Sequence, residues 1–326
     1  MWNDVITQVH WEPTDKCNSG CSMCPRYDLK GFEISTLENK EWTLESFKKA
    51  WSLKFLSQLQ KILACGNFGD PCACKEFVDI YEYCRETNPG MGLACNTNGS
   101  LRNPAWWSRL GAVMREDQNL GNYCTFSLDG LEDTNHLYRR NTNWKKIMEN
   151  AQAFINAGGV AHWDYIVFKH NYHQIQFAKE FANEHNIHLE LKEPFGFEDE
   201  YKTREVYTLP VYSKQTLELL YEIEPETEHE IPDFLHGHQP GGLGTKFYGA
   251  TVKKHTWPEK SNPAWLKEQY PPMSFYSYLK TQKHEYDCEA IDKAEVFIDC
   301  DGQFLPCCFL ASAEFMEEPQ MMNMLS

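Results

Sequence analysis

The sequence predicts an α/β protein whose parallel strands form a partial, TIM-like (β/α)6 barrel. Short apolar runs that suit buried strands alternate with longer amphipathic segments that suit helices, and the alternation repeats six times by about residue 193. Strands joined through helices run parallel, with right-handed crossovers. Six units suit a barrel that stays open on one side better than a closed eight-stranded one.

The predicted elements follow in the order strand, helix from the N-terminus. The first strand is the alternating run from Val5 to Trp11, and Thr43 is expected to cap the helix that comes next. The remaining strands are expected at residues 61–66, 91–97, 123–129, 161–168 and 187–192, and the helices at 44–59, 75–87, 104–115, 143–157 and 172–185.

Residues 197–285 have a different character from the units before them. Pro, Gly, Tyr and His are frequent, and Pro-Gly and Pro-Pro steps interrupt any regular element. We expect a connector with short helices, the clearest of them at 213–223, that folds over the open side of the barrel as a lid.

Composition excludes several classes of protein. The chain of 326 residues is 42% hydrophobic, which is enough to fill a large core, and its net charge of −16 disfavours nucleic acid as a partner. No apolar run is long enough to span a bilayer, and the N-terminus has no basic region or cleavage site. A cytoplasmic protein is expected, so the 13 cysteines point to metal ligation rather than disulfides.

Three cysteines in the loop after the first strand are spaced for a metal centre. Cys17, Cys21 and Cys24 are separated by three and by two residues, so their sulfur atoms can converge. A structural zinc site takes four ligands, whereas a cubane cluster held by three cysteines keeps one iron open. Zinc with a fourth ligand such as Cys72 or Cys74, and three buried free thiols, are the alternatives. The loop's place at a strand's carboxyl end favours the cluster.

This triplet resembles the Cys-x3-Cys-x2-Cys signature of the radical S-adenosylmethionine (SAM) superfamily, which follows the first barrel strand. The resemblance implies a partial barrel and a [4Fe–4S] cluster on Cys17, Cys21 and Cys24 whose open iron binds S-adenosylmethionine. It also implies an enzyme in which the reduced cluster cleaves the cofactor to a 5′-deoxyadenosyl radical, which then abstracts hydrogen from a substrate.

Motifs at the next three strand ends are similar to motifs of the same family. The turn Gly66–Pro71 lies where the family has a Gly-Gly-Glu-Pro-like turn, with Asp70 in place of the usual Glu. Taken alone it is a Gly/Pro-rich turn between a strand and a helix. The resemblance implies cofactor contacts at Gly69 and Asp70, at Asn98 in a Thr-Asn-Gly motif, and at Ser127 in a Ser-Leu-Asp-Gly motif.

Three further residues are expected near the cofactor by the same resemblance. An Arg behind the fourth strand pairs with the methionine carboxylate in the family, and both Arg139 and Arg140 suit that role because a guanidinium gives two donors to a carboxylate. Met23 stands where the family usually has an aromatic residue near the adenine. Its polarizable sulfur can pack on the ring in the same way.

A second group of cysteines lies near the C-terminus. Cys288, Gly302 and Cys307 fit the Cys-x9–15-Gly-x4-Cys opening of the SPASM and twitch extensions, which bind auxiliary iron–sulfur clusters. A hairpin turning at Gly302 brings the flanks together. We expect Cys288 and Cys307 as ligands, with Cys300 and Cys308 as third and fourth, and zinc bound by four cysteines is the alternative.

The expected organisation is a radical SAM partial barrel at 1–196, a connector or lid at 197–285 and a SPASM/twitch-like auxiliary cluster region at 286–326. The chain can hold one auxiliary cluster by this motif, because no cysteine follows the last of the group.

Substrate and partners are also inferred from the resemblance. Relatives with this extension often modify peptides or proteins, so a peptide or protein substrate is expected, and a twitch-type dehydrogenase of a carbohydrate or other small molecule is the alternative. Because only a few residues precede the first strand, no fused leader-binding domain is expected. An electron donor such as flavodoxin or ferredoxin is implied, and no membrane. A non-catalytic iron–sulfur or zinc carrier protein is the hypothesis from another class, but a carrier needs none of the three strand-end motifs.

Overall fold

A computed structural model describes residues 6–27, 31–116, 119–194, 208–213, 215–226 and 295–305. The strands are Gln8–Trp11 (β1), Lys61–Ala64 (β2), Gly92–Thr97 (β3), Tyr123–Ser127 (β4), Ala161–Ile166 (β5), His188–Lys192 (β6), Leu209–Tyr212 (β7), Leu219–Ile223 (β8), Glu295–Ile298 (β9) and Phe304–Leu305 (β10). The α-helices are Leu44–Ala50 (α1), Leu53–Gln58 (α2), Phe77–Thr87 (α3), Pro104–Val113 (α4), Asn135–Tyr138 (α5), Trp144–Asn156 (α6) and Ile175–Glu184 (α7), and short 3-10 helices lie at Pro71–Ala73 and Tyr172–Gln174.

One sheet of eight strands organises the fold, in the order β10-β9-β1-β2-β3-β4-β5-β6. The six strands expected from the sequence are confirmed, and each runs parallel to the next. β9 adds a seventh parallel strand on the other side of β1, pairing Gln8 with Glu295 and Trp11 with Ile298. β10 is antiparallel to β9, so the hairpin expected at Gly302 is present. Within the described residues β6 and β10 are the two edges of an open sheet.

Two expected helices are wrong. The helix expected at 44–59 is two helices, because Trp51 leaves the helical conformation (φ −105°, ψ 101°) and packs its ring on Phe47 at a centroid distance of 4.5 Å. Ser52 then caps α2. The helix expected at 213–223 is the hairpin of β7 and β8. Its apolar residues alternate along each strand, so that Val211 and Ile223 are buried while their neighbours are more exposed.

The boundaries expected at residues 196 and 285 lie outside the described residues, as does most of the connector. The described parts of the connector are 208–213 and 215–226. Within the described part of the chain, no helix has the length and apolar character needed to cross a bilayer.

The outer face of the sheet holds an aromatic core under the helices. Trp11 is fully buried, and its ring lies 5.3 Å from that of Phe47 and 6.1 Å from that of Trp51, measured between centroids. The rings of Phe77 and Tyr81 on α3 are 4.4 Å apart. Burying this apolar area supplies most of the driving force for folding.

The inner face of the same strands is polar. Tyr123 on β4 and His162 on β5 stack with centroids 4.6 Å apart, and burial lowers the pKa of His162 to about 3, with a further contribution from His188. Towards the carboxyl ends, Lys192 Nζ lies 2.7 Å from Asp164 Oδ2. Successive side chains of a strand point to opposite faces, so the apolar residues between these polar ones join the outer core.

Candidate cofactor site at the carboxyl end of the sheet

The cysteine loop begins directly after β1 and lies at the carboxyl end of the parallel sheet. Cys21 is buried, and Cys17 and Cys24 are half-buried. The segment that follows β4 holds this loop. The backbone N–H of Gly20 and the hydroxyl of Ser19 both donate to the carbonyl of Arg140, at 2.9 and 3.3 Å. The loop and the segment after β4 therefore form one unit.

Each of the three sulfur atoms accepts from at least one donor. The N–H of Ser19 donates to Cys17 Sγ at 3.4 Å, Nη1 of Arg139 donates to Cys21 Sγ at 3.6 Å, and the backbone N–H of Arg26 hydrogen-bonds to Cys24 Sγ. Burial raises the pKa of Cys24 to about 12 and that of Cys17 well above its usual range. Binding of a metal centre here must therefore displace thiol protons.

A buried guanidinium holds the end of this loop. Arg26 is 2% exposed, its Nη1 donates to the carbonyls of Asp15 and Phe68, and its Nη2 donates to Glu33 Oε1 at 3.1 Å. Because these partners come from the loop, from the turn after β2 and from the segment after the loop, Arg26 fixes the three relative to one another. No motif in the sequence predicts a role for Arg26.

The turn after β2 packs tightly on the cysteine loop. A Cβ on Gly69 would lie 1.7 Å from the carbonyl oxygen of Thr14, so only glycine fits. The N–H of Asp70 donates to the carbonyl of Lys16 at 2.8 Å. The expected glycine turn is thus in contact with the loop that carries the thiols.

The carboxylate of Glu12 binds the backbone of the same turn. Its Oε1 accepts from the N–H groups of Phe68 and Gly69 at 2.8 and 3.0 Å, and the residue is 1% exposed. Burial raises the pKa of Glu12 to about 7, although those two N–H groups lower it. No motif in the sequence points to Glu12, because a carboxylate after a strand is ordinarily solvated.

Asp70 organises the carboxyl end of β3. Its two carboxylate oxygens accept from the N–H of Cys72, the hydroxyl of Thr97, and the backbone N–H and side-chain amide of Asn98, at 2.7–3.0 Å. Burial raises the pKa of Asp70 against these donors. Asn98, so held, also donates to Asn18 at 2.9 Å and lies 3.8 Å from Cys17 Sγ. The structure brings Asp70, Asn98 and Cys17 together.

The structure separates the roles of Arg139 and Arg140. Nε of Arg139 donates to Asp129 Oδ2 at 2.5 Å and its Nη1 lies 3.6 Å from Cys21 Sγ. Asp129 is fully buried; its charge and that of Cys21 raise the pKa of Arg139 although burial opposes this. Arg140 instead lines a small cavity of about 30 Å³ between the cysteine loop and β7. Asp129 belongs to the Ser-Leu-Asp-Gly motif, but its ion pair was not foreseen.

Ser127 and Met23 complete the set of expected residues. Ser127 ends β4 and is half-buried, and its hydroxyl makes no hydrogen bond to any described residue. Met23 packs beside Cys21 in a small cluster with Phe168 and Val211, which lies against the β7–β8 hairpin. Met23 therefore lies within the cysteine loop, and Ser127 lies at the carboxyl end of β4.

Cys300 lies on the same edge of the sheet. It follows β9, which runs parallel to β1, and it is half-buried. Burial raises the pKa of Cys300, and the nearby carboxyl groups of Glu12 and Asp15 raise it further. The other expected C-terminal ligands, Cys288, Cys307 and Cys308, lie outside the described residues.

The donor set fits an iron–sulfur cluster. N–H and O–H groups directed at sulfur stabilise the negative charge of a cluster and tune its potential. Cys72 and Cys74, the alternative zinc ligands, are fully buried, and Cys74 Sγ donates to the carbonyl of Trp42 at 3.3 Å. Among the described residues, no three His, Cys, Asp or Glu side chains are placed to bind a single metal ion. A four-iron cluster takes each thiolate on a different iron, so its ligands need not meet at one point.

Comparison with known proteins gives a family and a fold. The model of the radical SAM superfamily matches residues 11–181, slightly more than half of the chain. None of the curated proteins matches in sequence. Residues 11–181, which match the family model, contain the cysteine loop and the ends of β2, β3 and β4.

Among solved structures, SuiB from Streptococcus suis bound to S-adenosylmethionine is similar over 98% of this chain and 66% of that one, with a TM-score of 0.52 and 14% identity. SuiB bound to the precursor peptide SuiA gives a TM-score of 0.53 at 12% identity, over 98% of this chain and 67% of that one. This chain thus spans about two thirds of the length of SuiB, and the likeness concerns the fold. A structure of anSMEcpe with bound AdoMet covers 60% of this chain and 52% of that one, with a TM-score of 0.44 and 16% identity.

Proposed function

This chain belongs to the radical SAM superfamily of enzymes, and from that premise we propose that Cys17, Cys21 and Cys24 hold a [4Fe–4S] cluster with which it abstracts hydrogen from a peptide or protein substrate. The observation that carries the proposal is the group of three thiols at the carboxyl end of β1, each of which accepts from a donor: the N–H of Ser19, the guanidinium of Arg139 or the N–H of Arg26. When bound, the cluster and S-adenosylmethionine supply a 5′-deoxyadenosyl radical, which takes a hydrogen atom from the substrate.

The residues around the thiols position the cofactor. The guanidinium of Arg139 donates to Cys21 Sγ, whereas Arg140 lines the small cavity between the loop and β7, so Arg139 is the Arg proposed to pair with the methionine carboxylate. Its Nε is held by Asp129, and its Nη1 is directed at Cys21 Sγ. The free hydroxyl of Ser127 is proposed to donate to the ribose or to the carboxylate.

Asp70 and Asn98 act differently in this proposal. The carboxylate of Asp70 is occupied by donors of the chain itself, so its role is to hold Asn98 and the glycine turn in place. The amide of Asn98 then lies at the sulfur of Cys17. Gly69 keeps the turn close to the cysteine loop, so that its backbone can receive the methionine amino group.

A peptide or protein substrate is supported by two observations. The inner face is polar, and at its carboxyl end Lys192, Asp164 and Glu190 form a charged group whose side chains are 20–23% exposed. Such a surface suits a polar chain rather than a lipid. Nearly the whole of this chain resembles part of SuiB in fold, and one SuiB structure contains the bound precursor peptide SuiA.

A second iron–sulfur cluster is part of the proposal. Cys300 stands at the carboxyl end of β9, next to the strand that leads into the cysteine loop. We place it as one ligand, with Cys288, Cys307 and Cys308 as the others, and propose that this auxiliary cluster accepts an electron from the substrate or binds it.

The test is an anaerobic assay of reconstituted protein for 5′-deoxyadenosine, with S-adenosylmethionine and dithionite. We expect 5′-deoxyadenosine from the wild type and none from the variant in which Cys17, Cys21 and Cys24 are all replaced by Ala. If the wild type contains zinc instead of iron and forms no 5′-deoxyadenosine, the proposal fails.

A further inference from the structure

A wide cleft reaches Cys17 from outside the barrel. It has a volume of about 700 Å³ and is lined by Lys16, Cys17, Arg102, Trp106 and Lys146, among others. The side chains of the inner face do not line it, and neither do Ser127 and Arg139. The cleft therefore approaches the cysteine loop from a different side than the space in which the cofactor and the substrate are proposed to lie.

The charge of the cleft is opposite to that of the protein. The chain carries a net charge of −16, yet three cations meet here. Lys16 is paired with Glu41, at 2.8 Å. Arg102 and Lys146 have no carboxylate partner among the described residues. Two uncompensated cations at one place on an acidic surface attract negative partners.

Arg102 is fixed in place without losing its charge. Its Nε donates to the carbonyl of Cys72 at 2.7 Å, and its Nη2 donates to those of Ala73 and Cys74 at 3.0 and 2.8 Å. Its guanidinium carbon also lies 5.7 Å from the ring centroid of Trp106. A planar ring and a rigid cation side by side form a preorganised contact surface, which lowers the entropic cost of docking.

We propose that this cleft is the docking surface for an acidic one-electron carrier protein that reduces the cluster held at Cys17. The inference rests on the proposed function, because it needs a cluster at that residue. One electron leaves the reduced flavin or iron–sulfur centre of the carrier and enters the four-iron cluster; no bond forms or breaks and no proton is transferred.

Two physical arguments select this partner. An acidic carrier is repelled by most of this surface, so an approach that ends at Cys17 requires a local positive patch. The patch must also adjoin the redox centre, because electron transfer slows steeply with distance. A small anion needs no such access to a cluster ligand.

Lys146 is the residue to test. It lies in the first turn of α6, where its backbone N–H donates to the capping side chain of Asn143. A Glu at this position is favourable near a helix N-terminus, so the Lys146→Glu variant is expected to fold. Lys146→Arg keeps the charge, and Lys49→Glu makes the same charge change on the exposed last turn of α1.

Binding of reduced flavodoxin and of ferredoxin to the cluster-loaded enzyme is measured by titration calorimetry at low and at high salt. We expect Lys146→Glu to weaken the binding of the carrier about tenfold at low salt, which corresponds to roughly 1.4 kcal/mol. High salt should reduce this difference, and Lys146→Arg and Lys49→Glu should bind like the wild type. The ratio of carrier-driven to dithionite-driven formation of 5′-deoxyadenosine should fall by a similar factor for Lys146→Glu alone.

The outcomes separate the two proposals. Absence of 5′-deoxyadenosine with either reductant overturns the proposed function. Dithionite-driven activity, together with equal binding of the carrier to wild type and Lys146→Glu, overturns the docking surface and leaves the proposed function standing. The docking-surface proposal is also overturned if neither carrier binds, or if inorganic phosphate occupies the cleft without competing with a bound carrier.

Discussion

The outer face of the parallel sheet and its carboxyl edge bury different kinds of residue. On the outer face the buried side chains are apolar and largely aromatic, with Trp11, Trp107 and Trp163 all at 1% exposure or less. At the carboxyl edge the buried residues include three carboxyl groups, Glu12 and Asp129 at 1% or less and Asp70 at 4%. The exposed fraction of these side chains is therefore similarly low in the two regions.

This difference separates what keeps the protein folded from what positions its chemistry. Burial of apolar rings is favourable by itself. Burial of a carboxyl group is unfavourable unless donors surround it, and burial raises the pKa of all three. The network at the carboxyl edge is therefore retained at a cost in stability, and each of its carboxyl groups fixes a residue beside the cysteine loop.

The largest expected effect comes from the thiols. Each of Cys17→Ala, Cys21→Ala and Cys24→Ala should abolish formation of 5′-deoxyadenosine, because three thiolates are needed to hold the cluster. Cys84→Ala makes the same change in the outer core, on α3, and should retain activity. Retained cleavage in one of the first three variants would remove that cysteine from the ligand set.

The second largest effect is expected in the aromatic core, on the stability of the fold. Trp11→Ala should lower the free energy of unfolding by about 3–5 kcal/mol, because the cavity left among Trp42, Phe47 and Trp51 cannot collapse fully. Urea unfolding measures this. Trp11→Phe keeps a ring and removes an indole N–H that has no partner among the described residues, so its cost should be smaller. Equal losses in the two variants would show that ring packing is not what Trp11 contributes.

Glu12 should make the free energy of unfolding depend on pH. Its pKa is about 7 in the fold and 4.5 when unfolded, so the native state holds a proton that the unfolded chain has released. The free energy of unfolding should therefore fall by about 3 kcal/mol as pH rises from 4.5 to 7, and this contribution should be constant above pH 7. Glu12→Gln should flatten this slope.

This slope is measured by urea unfolding of a variant in which both proposed cluster sites are removed, so that acid-labile sulfide plays no part. The residues replaced by Ala are Cys17, Cys21, Cys24, Cys288, Cys300, Cys307 and Cys308. Glu45→Gln on the exposed surface of α1 is the matched control. An unchanged slope in Glu12→Gln would mean that Glu12 is already ionised in the fold.

The smallest effect concerns Asp70. In Asp70→Asn an amide N–H replaces one acceptor oxygen and faces donors from Thr97 and Asn98, which should cost about 1–3 kcal/mol of stability. Asp79→Asn, on the exposed face of α3, should stay within about 0.5 kcal/mol of the wild type. Thermal unfolding of the two variants side by side tests whether the buried carboxylate carries the difference.

The sequence predicts the parts of the fold that depend on neighbours in the chain. The six strands were found because each is a short apolar run between turn signals. The pairing of β9 with β1 joins residues almost 290 positions apart, for example Gln8 and Glu295, and no local pattern reports it. The sequence predicts a helix in place of the β7–β8 hairpin because Leu219, Leu220 and Ile223 also fit a helical spacing.

The candidate site shows the same limit. The motif positions could be placed at strand ends, but the partners of Asp129 and Asp70 are set by tertiary contacts. Nothing in the local sequence distinguishes Arg139, which pairs with Asp129, from Arg140, which lines the cavity at β7. Glu12 and Arg26 carry no motif, and their burial is visible only in the fold.

The central claim is that the three thiols hold a cluster with an open iron that binds S-adenosylmethionine. It is tested most directly by electron paramagnetic resonance of the dithionite-reduced protein, with Cys288, Cys300, Cys307 and Cys308 replaced by Ala so that one cluster remains. We predict about four irons per chain and a spectrum that changes when S-adenosylmethionine is added. A four-iron signal that S-adenosylmethionine leaves unchanged would contradict the account.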